Sequence, residues 1–192
     1  DQVVWLSMAD NPKRKYKYTW EYIRTARGHT IGVNAGFANG LVLEAVSAGR
    51  IIELSGYENI AREVPYGKEC SRIDLLLSGP NQRDCYVEIK SVTLLEKPVS
   101  KGIGYFPDAI SARGSKHLRE LESVAISGQR AVLFFCVQHT GVKEVRPAEH
   151  IDFGYSELLR EVAKVGVEVL AYKVRVTTSG FKLWRPVRID LT

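Results

Sequence analysis

The chain has 192 residues, of which 45% are hydrophobic and 26% charged, and its formal net charge is +5. These proportions are ordinary for a soluble globular protein, and the length suffices for one substantial core or two small ones. No apolar run approaches the roughly 20 residues that a membrane-spanning helix needs, so we expect no membrane partner. The charge alone does not decide between nucleic acid, an acidic protein and no charged partner.

The first thirty-odd residues predict a small β region. Residues 3–7 and 18–23 are rich in the aromatic and β-branched side chains that favour strands. Residues 10–12, Asp-Asn-Pro, form a turn signal between them. Such a region is too short to hold a core alone. Because the chain opens with Asp1 rather than Met, we expect it to begin inside a longer gene product.

From residue 39 the pattern alternates between helix and strand. The predicted elements are a helix over 41–48, a short strand over 51–54, a pair of strands over 72–77 and 85–90, a helix over 111–127, a buried strand over 131–137, a helix over 156–165 with Ser156 as its N-cap, and strands over 167–176 and 182–187. This order predicts an α/β or α+β domain with a mixed sheet covered by helices. Residues 97–106 are predicted as a loop, either a mobile lid or an ordinary surface connection.

The pair of strands carries the most informative side chains. Side chains alternate between the two faces of a strand, so Asp74 shares a face with Glu88 and Lys90 when the loop over 79–84 closes a hairpin. The reverse face is apolar. Two carboxylates and one ammonium group therefore converge on one sheet face, which is the arrangement that a metal-dependent phosphodiesterase needs.

A hard cation such as Mg²⁺ prefers carboxylate and water ligands, and it can position a phosphate and stabilise developing charge. We assign Asp74 and Glu88 as the ligands and Lys90 as the group that orients the attacking water. Glu44, on the predicted helix before the hairpin, is a candidate for a further ligand. The alternative is an ordinary solvated strand face, because cross-strand charge pairs are common in hairpins and Glu-x-Lys alone is a weak signal.

Basic residues cluster near the start of the chain. Lys13, Arg14 and Lys15 are interleaved with aromatic residues. Basic side chains neutralise phosphates and aromatic rings stack on bases, so this tract is a candidate nucleic-acid contact. A solvated basic loop is the alternative interpretation.

The three cysteines, Cys70, Cys85 and Cys136, are an odd number without metal-ligand spacing. This is typical of a cytoplasmic protein, and we expect no disulfide. Phe181 and Trp184 are predicted to pack in the core or at a sheet edge rather than to stack on bases.

Asp74 followed by Glu88-Ile89-Lys90, with Glu44 ahead, resembles the PD-(D/E)XK nuclease signature. Over nearly its whole length the chain is similar to the sugar fermentation stimulation protein family, SfsA. The segments that carry this resemblance include Val4-Trp5-Leu6-Ser7, Asn11-Pro12-Lys13-Arg14-Lys15-Tyr16, Ser71-Arg72-Ile73-Asp74-Leu75, Tyr86-Val87-Glu88-Ile89-Lys90-Ser91-Val92, Phe106-Pro107-Asp108-Ala109 and Arg113-Gly114-x-Lys116-His117-Leu118. The chain departs from the nuclease signature at Ile73, which replaces a proline and removes no catalytic group.

The resemblance implies an N-terminal OB-like β domain, represented here in part by residues 1–33, and a restriction-endonuclease-like domain over 34–192. It also implies DNA binding without strong sequence preference and a regulatory role in maltose metabolism. The family match favours Arg113, Lys116 and His117 as phosphate contacts beside the metal. The alternative for these three is a solvated helix face.

Two functions remain open at this stage. The first is a cytoplasmic DNA-binding protein with an Mg²⁺-dependent nuclease site, for which Mn²⁺ is an alternative cofactor. The second is a non-enzymatic, sequence-nonspecific DNA-binding regulator of transcription whose nuclease site is vestigial. A carbohydrate- or nucleotide-binding module has no direct support from the residues. The form of the nucleic acid and the oligomeric state, a homodimer included, stay undetermined.

Overall fold

The structure is a computed structural model that describes residues 2–67, 71–177 and 180–192. Within these ranges it contains β-strands in three sheets and three α-helices. In chain order they are β1 (Val4–Met8), β2 (Tyr18–Arg24), β3 (Thr30–Gly32), α1 (Phe37–Ser47), β4 (Asn59–Tyr66), β5 (Ser71–Gly79), β6 (Gln82–Val92), β7 (Leu94–Leu95), β8 (Ile103–Phe106), α2 (Ala112–Ile126), β9 (Arg130–Val137), β10 (Glu144–Pro147), α3 (Phe153–Lys164), β11 (Glu168–Thr177), β12 (Gly180–Pro186) and β13 (Arg188–Ile189).

The largest sheet has six strands in the order β12-β11-β9-β6-β5-β4. Its three central strands, β6, β9 and β11, run parallel, and the remaining pairs are antiparallel. The central β9 is apolar on both faces because helices cover both. Helix α1 packs on one face, and α2 and α3 pack on the other. The predicted mixed sheet flanked by helices is therefore confirmed.

The N-terminal strands β1, β2 and β3 form a separate antiparallel sheet that packs on the larger one. Tyr22 stacks on Phe181 at a ring-centroid distance of 3.7 Å. Its hydroxyl donates to Oε1 of Gln138 over 2.5 Å, and Gln138 in turn donates to Ser91 on β6. The two sheets thus share one core. The predicted boundary at residue 33 and the OB-like character of this region stay predictions.

A third sheet, in the order β13-β10-β8-β7, corrects the loop prediction for residues 97–106. Val99–Lys101 forms a short 3₁₀ helix, and β8 pairs parallel with β10. Gly102, at φ 72°, makes the left-handed turn between the 3₁₀ helix and β8. Only four residues long and partly buried, β8 lacks the long alternating pattern by which a strand is recognised in a sequence.

Two further boundaries differ from the predictions. Residues 52–54 form a 3₁₀ helix rather than a strand, so that Ile51 and Leu54 are buried while Ile52 is exposed. Helix α3 begins at Phe153 because the side chain of Asp152 accepts from the Tyr155 amide over 2.9 Å and serves as the N-cap in place of Ser156. Strand β4 was absent from the predicted elements altogether.

The described cysteines, Cys85 and Cys136, are buried and free, and Cys70 lies outside the described residues. No helix in the described ranges combines the length and the apolar character needed to cross a bilayer.

Candidate active site

Asp74 and Glu88 lie side by side on the β5–β6 hairpin. The register pairs Leu75 with Val87, which places the two carboxylates next to each other on neighbouring strands. Leu75 and Val87 point into the core from the opposite face and are fully buried. The sequence folds this way because strand side chains alternate with a period of two. Burial of the apolar face therefore places the polar side chains on the opposite face.

Asp74 is held by two donors. The backbone amide of Ile89 donates to Oδ2 over 2.7 Å, and the side-chain amide of Asn39, at the start of α1, donates to Oδ1 over 2.7 Å. Asp74 is thereby fixed from its own sheet and from a helix 35 residues earlier in the chain. Each oxygen keeps lone-pair capacity for another partner.

Glu88 is almost completely buried, with 2% of its surface exposed. Its Oε1 accepts from Nζ of Lys90 over 2.7 Å and also contacts Nδ1 of His117 on α2. Its Oε2 is buried and has no hydrogen-bond partner among the described residues. Buried polar atoms are nearly always satisfied, so this oxygen marks the place where a further ligand belongs.

His117 connects Glu88 to the surface of the cleft. Its Nδ1 lies against Glu88 and 3.3 Å from Nζ of Lys90, while its Nε2 is 3.5 Å from Nε of Arg113. With a proton on Nδ1, the ring donates a hydrogen bond to the carboxylate. The ring is 6% exposed, so it acts inside the site rather than on the helix surface.

The two carboxylates differ in acidity. Burial raises the pKa of Asp74 above its ordinary value, and the negative charge of Glu88 adds to the rise. Burial also acts to raise the pKa of Glu88, but the hydrogen bond from His117 and the charge of Lys90 outweigh it, and the pKa is lowered. Glu88 is therefore the stably ionised member of the pair. Asp74 ionises at a cost that a cation would offset.

The site opens into a cleft of about 650 Å³. Cationic side chains surround the two carboxylates: Arg72 from β5, Lys90 from β6, and Arg113 and Lys116 from α2. Positive charge around an acidic centre suits a phosphate diester, because these cations can neutralise the charge of the phosphate. The structure thus brings Asp74, Glu88, Lys90, Arg113, Lys116 and His117 together in one cleft.

Glu44 is not among the residues that line this cleft. It lies on the exposed side of α1, where Oε1 forms a 2.6 Å ion pair with Nη2 of Arg50. Asn39, at the beginning of the same helix, is the α1 residue that reaches the hairpin. Helical periodicity alone could not show whether Glu44 or Asn39 faces the hairpin. The rotation of the helix about its axis is set by the packing of Leu41 and Val42.

The basic tract also lies outside the cleft lining. Lys13, Arg14 and Lys15 are exposed in the connection between β1 and β2, where Arg14 donates to Oγ1 of Thr19 over 2.8 Å. Nearby Tyr16 is exposed, with the Lys15 ammonium 5.4 Å from its ring centroid. The tract is therefore free to contact a ligand, at a surface separate from the hairpin.

The sequence reasoning missed Asn39, Arg72 and Tyr66. Arg72 could have been found, because it stands two residues before Asp74 and so shares its strand face. Tyr66 has a buried hydroxyl without a partner in the described ranges, and burial together with the charges of Glu88, Glu120 and Asp74 raises its pKa.

No group of three or more His, Cys, Asp or Glu side chains in the described ranges is arranged to hold a metal ion. A cation at Asp74 and Glu88 would therefore take its other ligands from water, backbone or substrate. This suits Mg²⁺, which commonly binds one or two carboxylates and keeps several waters.

Comparison with known proteins places this geometry in a family. A family model described as "Sugar fermentation stimulation protein RE domain" matches residues 36–180. The chain belongs to the sugar fermentation stimulation protein family. The family resemblance and the nuclease-like domain predicted from the sequence agree with this match, which includes every cleft residue named above.

Curated relatives extend the match to nearly the full chain. A sugar fermentation stimulation protein homolog of Shewanella piezotolerans is 57% identical over 188 residues, covering 98% of this chain and 79% of the relative. The homolog of Shewanella loihica is 52% identical over 188 residues with the same coverage. A solved structure, that of Pyrococcus furiosus SfsA in complex with Ca²⁺, superimposes with a TM-score of 0.83 at 25% identity, covering 97% of this chain and 77% of that one.

Proposed function

We propose that this protein is a metal-dependent phosphodiesterase that acts on nucleic acid, most directly DNA. The observation that carries the proposal is the state of Glu88. One of its oxygens is saturated by Lys90 and His117, and the other is buried without a partner in the described part of the chain, beside a second carboxylate. Structural ion pairs normally satisfy both oxygens, whereas a cation site needs one left open.

Asp74 and Glu88 would hold the divalent cation. Their oxygen ligands suit Mg²⁺, with Mn²⁺ as an alternative, and the Pyrococcus furiosus relative was solved with Ca²⁺, another hard cation. When bound, such a cation polarises a phosphate oxygen and favours deprotonation of water. The raised pKa of Asp74 supports this assignment, because two adjacent carboxylates would ionise together more readily with a cation bound to them.

The chain's own residues supply the rest of the chemistry. Lys90, whose side chain is 17% exposed, reaches the cleft from the same strand as Glu88. Its ammonium group would orient the attacking water and neutralise charge that develops on the phosphate. Arg113 and Arg72 would bind the flanking phosphates through their guanidinium groups, which match phosphate oxygens in geometry.

His117 and Asn39 act through the carboxylates rather than on substrate. His117 fixes the rotamer of Glu88, and Asn39 fixes that of Asp74. Both are positioning residues, since a ligand carboxylate is effective only when its own hydrogen bonds hold it in place.

A second candidate function is a non-enzymatic DNA-binding regulator of sugar metabolism. The observation that favours it is the exposed basic and aromatic tract around Lys13, Arg14 and Lys15, which lies apart from the cleft. Such a surface can bind nucleic acid whether or not the cleft has catalytic activity.

The deciding experiment is a cleavage assay on labelled single- and double-stranded DNA and RNA with Mg²⁺ or Mn²⁺. The wild type is compared with Lys90→Ala and with Lys101→Ala, a matched exposed lysine outside the cleft. We expect cutting that requires metal, is lost in Lys90→Ala and persists in Lys101→Ala. Binding without cutting by all three proteins would support the regulator instead. A Glu44→Gln variant in the same assay tests the one predicted catalytic residue that lies outside the cleft lining.

A further inference from the structure

A second cavity, of about 530 Å³, lies beside the paired strands β11 and β12 and the end of β2. Four cations line it: Arg24, Lys173, Arg175 and Arg185. No Asp or Glu is among the described residues that line it, and no ion pair is found for any of the four in the described ranges. This cavity therefore differs from the cleft at the β5–β6 hairpin, because its cations surround no carboxylate among the described residues.

The strand register makes this charge costly for the protein alone. Lys173 on β11 stands directly opposite Arg185 on β12, and Arg175 stands directly opposite Lys182. Like charges in directly opposed positions of an antiparallel pair destabilise it. Lys173, Arg175 and Arg185 line the cavity, and an anion bound there would relieve their mutual repulsion.

Burial adds to this cost at Lys173, which is 8% exposed and donates to the carbonyl of Val142. Burial lowers the pKa of Lys173, and the charges of Arg185 and Lys143 lower it further. A bound anion would reverse these effects.

A β-bulge lies among the residues that line the cavity. The register between β11 and β12 shifts between Lys173 and Val174, and the extra residue on β12 is Trp184. Bulges re-aim a side chain, and here Trp184 is 49% exposed rather than packed in the core. The guanidinium carbons of Arg185 and Arg175 lie 4.4 and 5.2 Å from its ring centroid. As predicted, Phe181 packs against the core and Trp184 lies at the sheet edge, on β12.

We infer that this cavity binds one nucleotide unit of a single-stranded nucleic acid, with the phosphate on the facing cations and the base stacked on the platform that Trp184 forms with Arg175 and Arg185. Cations that follow a backbone next to an exposed aromatic ring are the general means by which proteins hold single strands. Thr30 and Thr140, which also line the cavity, add neutral hydrogen-bonding groups for phosphate oxygens. The inference rests on the proposed function in one respect, that the ligand is a nucleic acid.

The position of the cavity suits a strand that also enters the cleft. Lys173 pairs with Val137 on β9, and Val137 pairs with Val92 on β6, two residues beyond Lys90. At about 4.8 Å per strand, the backbone of Lys173 lies about 10 Å across the sheet from that of Val92. The cavity would therefore hold a nucleotide outside the cleft and anchor the strand that is cut. Trp184 and Arg185 lie beyond residue 180, where the family match ends.

The test is a binding measurement in EDTA, so that cleavage plays no part. Fluorescence anisotropy of a labelled oligothymidylate of about 12 nucleotides, well within the site sizes known for single strands, gives the affinity at several salt concentrations. We compare the wild type with Trp184→Ala and with the double variant Arg175→Gln/Arg185→Gln. The matched control is Arg83→Gln/Lys164→Gln, which removes two charges outside the cavity.

We expect each cavity variant to bind at least about fivefold more weakly, which is the lower range for loss of one stacked base. The double variant should also reduce the slope of log affinity against log salt by about 0.7, the value for one lost phosphate contact on a single strand. The control should bind the oligonucleotide with the affinity and the salt dependence of the wild type. Because Trp184 and both arginines are exposed, all variants should fold, as circular dichroism and thermal melting will verify.

Two outcomes overturn the inference without touching the proposed phosphodiesterase. In the first, the oligonucleotide binds but the cavity variants match the control. In the second, inorganic phosphate or thymidine monophosphate competes as effectively as the oligonucleotide, which would make the cavity a small-anion site. The cleavage assay with Lys90→Ala judges the phosphodiesterase separately, so failure of either proposal can be recognised.

Discussion

His117 hydrogen-bonds the same oxygen of Glu88 that accepts from Lys90, and the second oxygen of Glu88 is left without a partner in the described part of the chain. The helix α2 thus sets the direction in which a strand carboxylate presents its lone pairs. His117 is 6% exposed and contacts the carboxylate of Glu88, and its predicted contact with phosphate stays a prediction.

This relationship predicts the effect of His117→Ala. Without the imidazole, the pKa of Glu88 should rise, because burial would no longer be outweighed. Metal-dependent cleavage should fall by at least about tenfold, a typical cost for loss of a group that orients a metal ligand. The acid limb of the pH–rate profile should move to higher pH. His150→Ala, which removes an exposed histidine paired with Glu96, is the control and should leave the profile in place.

Asp74→Asn should stabilise the metal-free protein and abolish its stabilisation by metal. The folded-state pKa of Asp74 is raised, so its contribution to stability is fully present below the unfolded pKa and is lost as the pH rises through the folded value. At neutral pH the ionised carboxylate lowers the free energy of unfolding, and the uncharged asparagine removes this destabilisation. Thermal melting in EDTA and in Mg²⁺ measures both effects, with Asp10→Asn in an exposed turn as control. A lower melting temperature in EDTA would contradict this account.

Glu88→Gln should have the opposite effect on the metal-free protein. The pKa of Glu88 is lowered, so its stabilising contribution is present above the unfolded pKa and is lost as the pH falls through the folded one. At neutral pH the variant should lose about 3 kcal/mol of unfolding free energy, because Lys90 and His117 lose a buried partner. Urea unfolding at several pH values should show the difference from wild type shrinking below the ordinary range of a glutamic acid. A constant difference at every pH would exclude the charge as its cause.

Asn39→Ala tests the contact between α1 and the hairpin. It removes one hydrogen bond to an ionised group, worth about 1.5 kcal/mol, and should weaken Mg²⁺ binding by roughly tenfold. Isothermal titration with Mg²⁺ gives the affinity directly. Asn59→Ala, at an exposed position on β4, is the matched control. Equal affinities in the two variants would mean that the Ile89 amide alone holds Asp74 in place.

Phe181→Ala tests how the N-terminal sheet is joined to the rest. Phe181 stacks on Tyr22 and makes edge contacts with Trp5 and Phe37. Removing the ring should cost about 3 kcal/mol of unfolding free energy, as is common for large aromatic truncations. Limited proteolysis should then cut first near residues 25–29, while the exposed Trp184→Ala variant should resist as the wild type does. Unchanged proteolysis would show that Gln138 suffices to join the sheets.

The hairpin carboxylates could be predicted because strand alternation is a local property. Asp74, Glu88 and Lys90 share a face by counting alone, and the same local reasoning found Ser111 at the start of α2. Asn39 could not be found in this way, since its contact with Asp74 depends on where α1 settles against the sheet. The same packing turns Glu44 away toward Arg50. The facing cations of β11 and β12 were missed because the bulge at Trp184 changes the register that alternation assumes.

Strand β6 pairs antiparallel with β5 on one side and parallel with β9 on the other. Glu88 and Lys90 therefore lie on an interior strand, where they pair with Leu133 and Phe135 of β9, while the pairing with β5 reaches Val87 next to Glu88. Little rearrangement energy is needed to keep these two groups in place when a substrate arrives. Any adjustment to the size or curvature of the nucleic acid must come from the surrounding walls, α2 with Arg113 and the segment before α1, rather than from the floor of the cleft.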